Sequence, residues 1–261
     1  MLKINDLQVA YGSEHLVVDR FHLSMEPSEI ISIVGESGSG KTTVIRAVLG
    51  ALPACGRILG GNITFHGEDI STYGKDTWRE VRGKKIAMIF QDSGGTLNPI
   101  RKIGSQFTEY IVEHSEADHK EAWKQASGML ERMRLPNPES IMKSYPFQLS
   151  GGMRQRVGIA MAMTFQPELL LADEPTSALD VTTQAQIVRQ MMELRSHYGT
   201  GIIIVTHNLG VAAYMADRLI VMKAGEVVDA GSREEVLSHP SHPYTRELLS
   251  AVPVMGGKRI V

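Results

Sequence analysis

The sequence predicts an α/β fold organised around a mostly parallel sheet. Two observations carry this prediction: short runs that are apolar throughout, and helical segments that alternate with them along the chain. Strands that are apolar on both faces are typical of parallel sheets covered by helices on both sides. The composition agrees, because a chain of 261 residues with 43% hydrophobic and 21% charged residues can bury a sizeable core.

The first third of the chain predicts strands around one glycine-rich loop. LKINDLQVAY (2–11) alternates apolar and polar residues, and EIISIVG (29–35), after a charged break, predicts a buried central strand. A glycine-rich loop follows and leads into a segment whose apolar residues recur at helical spacing. GGNITFHGEDI (60–70) predicts a hairpin strand with turns, and KKIAMIFQ (84–91) predicts another buried strand.

The middle of the chain has a different pattern. It starts with the turn-rich SGGTLNP, becomes helical and charged, breaks at Pro136 and Pro138, and resumes as a helix after LSGG. We therefore expect one large domain. Its core comprises residues 1–91 and 166–261, and a helical lobe comprises residues 92–165.

Strand patterns return in the last third. ELLLADEP (168–175) and GIIIVTH (201–207) predict buried strands, separated by an amphipathic helix that ends at Gly199. DRLIVMKAGEVVDAGS (217–232) predicts a hairpin. The tail, HPSHPYTRELLSAVP (239–253), predicts a proline-containing loop and a short helix.

Charge and cysteine content exclude several classes of protein. Twenty-seven Lys and Arg against 29 Asp and Glu give a net charge of −2, so no net basic field drives nucleic-acid binding. The single Cys55 cannot form an internal disulfide or a cysteine-rich metal site, which makes a reducing compartment the default. The sequence shows neither a signal peptide nor an apolar run long enough to span a bilayer, so we expect an unexported, soluble chain.

The segment from Gly35 to Thr42, GESGSGKT, matches the phosphate-binding Walker A pattern. Glycines let backbone N–H groups surround phosphate oxygens, and the following helix presents the positive end of its dipole. A lysine in this position reaches the β- and γ-phosphates, and the hydroxyl after it binds Mg²⁺. The predicted nucleotide contacts are those of Gly35, Glu36, Ser37, Gly38, Ser39, Gly40, Lys41, Thr42 and Thr43.

Two acidic residues end the strand LLLADEP. Asp173 is expected to hold the hydration shell of Mg²⁺, and Glu174 adds a carboxylate that can deprotonate an attacking water. Two surface acids that merely end a strand are the structural alternative. After a Walker A segment, the functional interpretation is favoured.

A second glycine-containing segment, Ser150-Gly151-Gly152, precedes another helical run. It is either an ordinary serine N-cap or a second anion site at a helix start. One phosphate chain needs only one such loop, so the segment by itself leaves both interpretations open.

These motifs, in this order and spacing, resemble the ATP-binding cassette (ABC) ATPases over essentially the whole chain. Three stretches are similar to the ATPase subunits of oligopeptide, dipeptide and nickel importers: FQDSGGTLNP (90–99), YPFQLSGGMRQRV (145–157) and the tail (239–253). The resemblance implies a P-loop ATPase core with an N-terminal antiparallel β subdomain and a helical signature lobe.

The resemblance also implies roles for single residues. Tyr11 stacks on adenine, Gln91 contacts Mg²⁺ or the attacking water, and His207 contacts the γ-phosphate. The implied catalytic residues are Glu174, His207, Gln91 and Lys41. The implied Mg²⁺ ligands are Thr42, Gln91 and Asp173. Ser150, Gly151 and Gly152 bind ATP held by the opposite subunit, and Asp180 lies in a loop that crosses to that subunit.

The resemblance further implies partners. We expect ATP and Mg²⁺ as cofactors and a head-to-tail dimer with a second ABC ATPase, either a paralogue or another copy. Two membrane permeases, an external solute-binding protein and a peripheral location at the cytoplasmic face of the membrane follow from the same family. Nucleic acid is not expected as a partner, and the cargo is a peptide, nickel or a metal chelate.

Other functions remain possible on the sequence. A non-transport ABC ATPase of DNA repair or translation is the main one, although the chain has neither a long coiled-coil insertion nor a second cassette. A nucleotide-binding module without turnover is less compatible with an intact Glu174 and His207. A P-loop kinase or GTPase is disfavoured because the sequence lacks an Asn-Lys-x-Asp guanine motif.

Overall fold

The computed structural model describes residues 1–12, 15–91, 93–177, 179–251, 254–255 and 258–259. Its strands are β1 (Leu2–Tyr11), β2 (His15–Met25), β3 (Ile30–Val34), β4 (Gly56–Phe65), β5 (Glu68–Asp69), β6 (Ile86–Ile89), β7 (Leu169–Asp173), β8 (Gly201–Thr206), β9 (Arg218–Lys223), β10 (Glu226–Ser232), β11 (Val254–Met255) and β12 (Lys258–Arg259). Its helices are α1 (Lys41–Val48), α2 (Lys75–Val81), α3 (Ser93–Thr96), α4 (Ile103–His114), α5 (His119–Arg132), α6 (Pro138–Lys143), α7 (Gly151–Met163), α8 (Val181–Tyr198), α9 (Leu209–Met215), α10 (Arg233–Ser238) and α11 (Pro243–Ser250).

The chain forms two compact units, which are described separately. The first unit comprises Met1–Trp78 and Gly199–Val261, and the second comprises Arg79–Tyr198. The division of the sequence into a core and a helical lobe at residues 92 and 165 stays a prediction. Among the residues that the structure describes, no helix is long and apolar enough to cross a bilayer.

The first unit contains an antiparallel sheet in the order β2-β1-β4-β5. This sheet agrees with the N-terminal antiparallel subdomain expected from the sequence. Strand β2 was not singled out from the sequence, and it ends before the charged break at 26–29 that precedes β3. Arg20, with a φ of 46°, interrupts the two-residue alternation of buried side chains in β2.

The first unit also contains the central parallel strands. Strand β3 lies between β8 and β9 and runs parallel to both, and β10 pairs with β9 in the predicted hairpin. All residues of β3 and β8 are buried. This complete burial explains why both segments are apolar throughout, and it places the carboxyl ends of β3 and β8 side by side.

The second unit combines a parallel pair of strands with helices. Strand β6 pairs with β7 in parallel, from Ile86 opposite Leu169 to Ile89 opposite Ala172. Helices α3 to α7 follow β6 in the sequence and precede β7, which agrees with the helical character predicted for this region. Helix α4 ends at His114, and α5 begins with a capping box formed by Asp118 and Glu121, so the charged helical stretch of the sequence forms two helices.

Candidate functional site

The loop between β3 and α1 has a backbone that only glycine permits at two positions. Gly35 has a φ of 154°, and a Cβ atom there would lie 2.1 Å from the carbonyl oxygen of Met222. Gly40 has a φ of 98°, and its Cβ would lie 2.5 Å from the carbonyl oxygen of Val17. Both contacts are with backbone atoms, which cannot swing away. The glycines of the Walker A pattern are therefore required by this fold as well as by any ligand.

The side chain of Lys41 folds back over the loop that precedes it. Its Nζ donates hydrogen bonds to the carbonyl oxygens of Gly35 at 2.9 Å and Glu36 at 2.6 Å, and to Ser39 Oγ at 3.2 Å. Only 5% of Lys41 is exposed. A buried ammonium requires such partners, because desolvation without them is costly. The loop thus holds a positive charge in a fixed place.

The start of α1 is suited to an anion. Gly40 is the N-cap residue, and within the described part of the chain no side chain caps the helix there. The first N–H groups of a helix have no partner inside the helix, and they carry the positive end of its dipole. Ser37 and Gly38, at the tip of the loop, are exposed. A helix start without a side-chain cap among the described residues, next to the Lys41 ammonium, fits the triphosphate that the sequence predicts here.

Tyr11 lies beside the first turn of α1. Its hydroxyl forms a hydrogen bond of 3.1 Å with Thr43 Oγ1, and its ring packs so closely on Gly56 that a Cβ there would lie 2.6 Å from Tyr11 Cε1. The ring is half-buried. Tyr11 therefore lies next to the start of α1, and its stacking on adenine stays a prediction.

His207 directly follows β8. Because Val34 and Thr206 are paired in the parallel register, Gly35 and His207 are the next residues on two neighbouring strands. Ligands of open α/β sheets bind at this edge, beyond the carboxyl ends of the strands. His207 is exposed there, and the following Asn208 caps α9 with its side-chain oxygen.

In the second unit, the predicted catalytic acid contacts the predicted sensor glutamine. Gln91 Nε2 donates a hydrogen bond to Glu174 Oε2 at 3.3 Å. Ser177 Oγ donates to the carbonyl oxygens of Glu174 at 3.0 Å and Gln91 at 3.5 Å. Asp173, the last residue of β7, is only 3% exposed. Three residues that the sequence assigned to one reaction thus lie together, although Gln91 and Glu174 are 83 residues apart.

Glu174 has an unusual backbone conformation. Its φ is 45°, in the left-handed region that non-glycine residues seldom adopt. Such conformations persist where the surrounding structure imposes them, and they concentrate at functional sites. The hydrogen bond from Ser177 to the Glu174 carbonyl is one contact that holds this turn.

The second glycine segment starts helix α7 and packs against helix α8. Ser150 is the N-cap of α7, and its Oγ accepts the N–H of Met153 at 3.3 Å. A Cβ on Gly152 would lie 2.5 Å from Thr183 Cγ2. Thr183 is held in turn by Asp180, whose carboxylate accepts the Thr183 N–H at 3.0 Å and its hydroxyl at 2.7 Å.

These contacts with Thr183, led by the one from its hydroxyl, hold the pKa of the Asp180 carboxyl below its usual range. Gly151, in contrast, is exposed and has room for a side chain, since a Cβ would be 3.6 Å from Leu179. Ala178, in the same predicted loop, lies outside the described residues.

The structure adds residues that sequence reasoning did not assign a role. Gln155, in α7, is 6% exposed and donates a hydrogen bond to the carbonyl oxygen of Pro175 at 2.7 Å, which ties the signature helix to the turn after Glu174. Ser177 holds the turn after Glu174, and Thr183 packs on Gly152. A fourth residue, Tyr244, contacts the phosphate loop at Glu36. No single-residue signal in the sequence marks these contacts.

Known proteins share the sequence pattern and the fold of this chain. The family model described as "ABC transporter" matches residues 18–177, more than half of the chain. The oligopeptide transport ATP-binding protein OppD of Bacillus subtilis is 42% identical over 259 residues, which cover 98% of this chain and 72% of OppD. AmiE of Streptococcus pneumoniae, also an oligopeptide transport ATP-binding protein, is 46% identical over 88% of this chain and 65% of its own length. The glutathione import ATP-binding protein GsiA of Salmonella typhimurium is 43% identical over 99% of this chain, which spans 43% of GsiA.

Solved structures show the same fold. The dimeric ABC cassette MJ0796 in a post-hydrolysis state bound to ADP and Pi has a TM-score of 0.79 and 27% identity, covering 89% of this chain and 99% of that chain. CbiO1 of Clostridium perfringens, part of the ABC transporter complex cbiONQ, has a TM-score of 0.78 and 26% identity, covering 91% of this chain and 90% of that chain. The ABC ATPase fold expected from the sequence is thus confirmed. The chain belongs to the ABC transporter family, in which it is an ATPase subunit of an importer.

Proposed function

We propose that this chain hydrolyses MgATP to drive the import of peptides through separate membrane permeases. The observation that carries the nucleotide part is the glycine loop, in which the buried Lys41 ammonium is held next to a helix start that has no side-chain cap from the part of the chain that the structure describes. The cargo is inferred from relatives. OppD, AmiE and GsiA are named for oligopeptides and glutathione, which are all peptides, so we favour peptide cargo over nickel or a metal chelate. The comparisons lend no support to the alternative in DNA repair or translation.

We assign the chemistry to the residues that the sequence motifs single out. Lys41 and the N–H groups at the start of α1 bind the phosphates, Tyr11 binds the adenine ring, and His207 contacts the γ-phosphate. Glu174 accepts a proton from the attacking water, and Gln91 orients that water. Positioning and charge neutralisation supply most of the rate, because phosphoryl transfer requires little covalent chemistry of the protein.

Thr42, Asp173 and Gln91 are the proposed holders of Mg²⁺. A hydroxyl, a carboxylate and an amide oxygen are the hard oxygen ligands that Mg²⁺ prefers. Asp173 is buried at the end of β7, where an ionised carboxylate needs a cation or donors close by. When bound, the metal neutralises charge on the phosphate oxygens.

We further propose that Ser150, Gly151 and Gly152 act on ATP held by a second ATPase subunit, with Asp180 in the connecting loop. Ser150 and Gly151 are exposed at the start of α7, which leaves this helix terminus accessible. MJ0796, a similar cassette, is dimeric in its structures. In such a dimer, each ATP contacts both subunits and joins them, and its hydrolysis removes this connection.

A complementation experiment tests whether the site is shared. We expect a dimer of one Ser150→Ala subunit and one Lys41→Ala subunit to retain about half of the parent ATPase activity. In a shared site both defects fall on the same nucleotide, so the other site stays intact. A dimer of one unchanged subunit and one subunit that carries both substitutions should be nearly inactive, because each site then contains one defect. Mixed dimers are isolated with two affinity tags, and phosphate release is measured.

The reverse order of activities in these two dimers would contradict the shared site, because it is the result expected when Ser150 acts on ATP of its own subunit. Ser150→Ala also removes an N-cap, which stabilises a helix by about 1 kcal/mol. Ser232→Ala controls for that loss, since Ser232 caps α10 in the same way, by accepting the N–H of Glu235. This control is expected to retain the parent rate.

The transport role is tested by copurification from the native membrane. We expect the chain to be recovered at the membrane surface with permease subunits and to release phosphate faster when the permeases and a peptide-loaded binding protein are present. Recovery with ribosomes or DNA would favour the non-transport alternative. Stimulation by nickel or a nickel chelate in place of peptide would reassign the cargo.

A further inference from the structure

The tail of the chain contacts the phosphate loop. The hydroxyl of Tyr244, in the first turn of α11, accepts a hydrogen bond from the backbone N–H of Glu36 at 2.9 Å. The two residues are 208 positions apart in the sequence. Tyr244 is only 3% exposed, and it packs in a core cluster with Val34, the last residue of β3 before the loop. Tyr244 therefore reaches the exposed loop from the folded interior of the first unit.

This contact acts on the peptide group that also holds Lys41. The N–H of Glu36 and the carbonyl of Gly35 belong to one planar peptide unit. Tyr244 binds the N–H, and Lys41 Nζ donates to the carbonyl oxygen at 2.9 Å. Because the unit is planar, fixing the direction of the N–H also fixes the direction of the carbonyl, and with it one of the partners of the ammonium.

The tail is itself held firmly ahead of Tyr244. The carboxylate of Asp229 accepts hydrogen bonds from the N–H and the Oγ of Ser241, both at 2.9 Å, and from the N–H of His242 at 3.3 Å. His242 Nδ1 then accepts the N–H of Tyr244 at 3.1 Å. Burial raises the pKa of the Asp229 carboxyl, but these donors outweigh it and leave the pKa below its usual range.

Lys223 completes the surroundings of the tyrosine. Its Nζ lies 4.6 Å from the centroid of the Tyr244 ring, within the range of a cation–π contact. Ring packing and this contact require only an aromatic face, which phenylalanine would also supply. Only the hydroxyl of Tyr244 reaches the phosphate loop. Its contact with the loop therefore explains why this residue is tyrosine, whereas packing in the core would be satisfied by phenylalanine.

We propose that Tyr244 is a positioning residue for the ATPase reaction, whose hydroxyl orients the Gly35–Glu36 peptide and thereby the Lys41 ammonium. This inference rests on the proposed function, in which Lys41 binds the phosphates of ATP. It assigns a role in nucleotide binding to the HPSHPY segment (239–244), which lies outside the Walker and signature motifs.

The test is a double-mutant cycle between Tyr244 and Lys41. Tyr244→Phe removes the hydroxyl and keeps the ring, so we expect ATP affinity and kcat/KM to fall about three- to tenfold, the usual net effect of one hydrogen bond. In the Lys41→Ala background, Tyr244→Phe should weaken ATP binding less than twofold, because the group it positions is gone. Calorimetry with ATP and Mg²⁺ measures the four affinities, and thermal unfolding measures stability.

Tyr110→Phe is the matched control. The Tyr110 hydroxyl also bonds a backbone group, the carbonyl of Gly83 at 3.4 Å, but it lies in the second unit. This variant should keep the parent ATP affinity. Parent affinity in Tyr244→Phe would overturn the proposal, as would an equal loss in the Lys41→Ala background, which indicates a general structural effect. If Lys41→Ala itself binds ATP like the parent, the assignment of the nucleotide site fails first, and the two failures are thereby distinguished.

Discussion

Replacing Glu174 with Gln is expected to reduce ATP turnover about 10²- to 10⁴-fold, the usual contribution of a general base. An amide cannot accept the proton of the attacking water, whereas its size and shape match those of the carboxylate. ATP affinity should stay close to that of the parent chain, since Glu174 is not assigned to phosphate binding. Phosphate release under single-turnover conditions measures the effect on the chemical step.

The Glu174→Gln substitution removes the carboxylate and is expected to keep the local contacts. The backbone of Glu174 is held in the left-handed region by its surroundings, and a change in the side chain does not alter that requirement. The oxygen of a glutamine amide still accepts the hydrogen bond that Gln91 Nε2 donates to Glu174 Oε2. Glu116→Gln is the control, because Glu116 is an exposed acid in the loop before α5 and has no assigned role. Unchanged turnover in the Glu174 variant would remove it as the base.

A second readout of the same variant concerns assembly. If ATP joins two subunits and hydrolysis separates them, blocked hydrolysis should accumulate ATP-bound dimers. Small-angle scattering or crosslinking with excess ATP should then show a larger dimer fraction for Glu174→Gln than for the parent chain or for Glu116→Gln. A variant that is inactive, saturated with ATP and still monomeric, even with its companion ATPase, would contradict the shared site.

Much of this site could be predicted because its parts are local in the sequence. The glycine loop, its lysine and the flanking strand and helix occupy consecutive positions, so each local pattern supports the next. The same holds for β7, where a completely buried strand ends at Asp173. Complete burial leaves a continuous apolar run, which is easy to recognise.

Other features were not predictable because they depend on contacts between distant segments or on backbone conformation. Strand β2 escaped prediction since the left-handed Arg20 interrupts the alternation on which strand prediction relies. The left-handed conformation of Glu174 has no marker in the sequence, because that conformation is more usual for glycine or asparagine.

The bond from Glu36 to Tyr244 illustrates the second limit. The tail motif was conspicuous in the sequence, yet its target depends on how α11 packs against β3. The packing of Gly152 on Thr183 is similar, because a glycine at a helix start is equally compatible with an anion site and with a close helix contact. Physical contact over a long sequence separation is what the structure adds.

Lys41→Ala is expected to weaken ATP binding roughly 10- to 100-fold, since hydrogen bonds to charged groups contribute about 1.5–3 kcal/mol and each 1.4 kcal/mol is a factor of ten. The ammonium also bonds the carbonyls of Gly35 and Glu36, so its removal leaves loop oxygens without this donor. The loss therefore combines a missing charge on the phosphates with a less ordered loop. Calorimetry with ATP and with ADP measures both affinities.

Two further variants separate these contributions. Lys41→Met keeps most of the apolar stem and removes only the ammonium, so it should bind ATP as weakly as Lys41→Ala if the charge dominates. Lys3→Ala, at an exposed position of β1, removes one positive charge from the same unit and should leave ATP affinity unchanged. Because a triphosphate carries more negative charge near the ammonium than a diphosphate, Lys41→Ala should weaken ATP binding more than ADP binding. Parent affinity for ATP in both Lys41 variants would show that the nucleotide does not bind at this loop, and the assignment of the phosphate site would then be wrong.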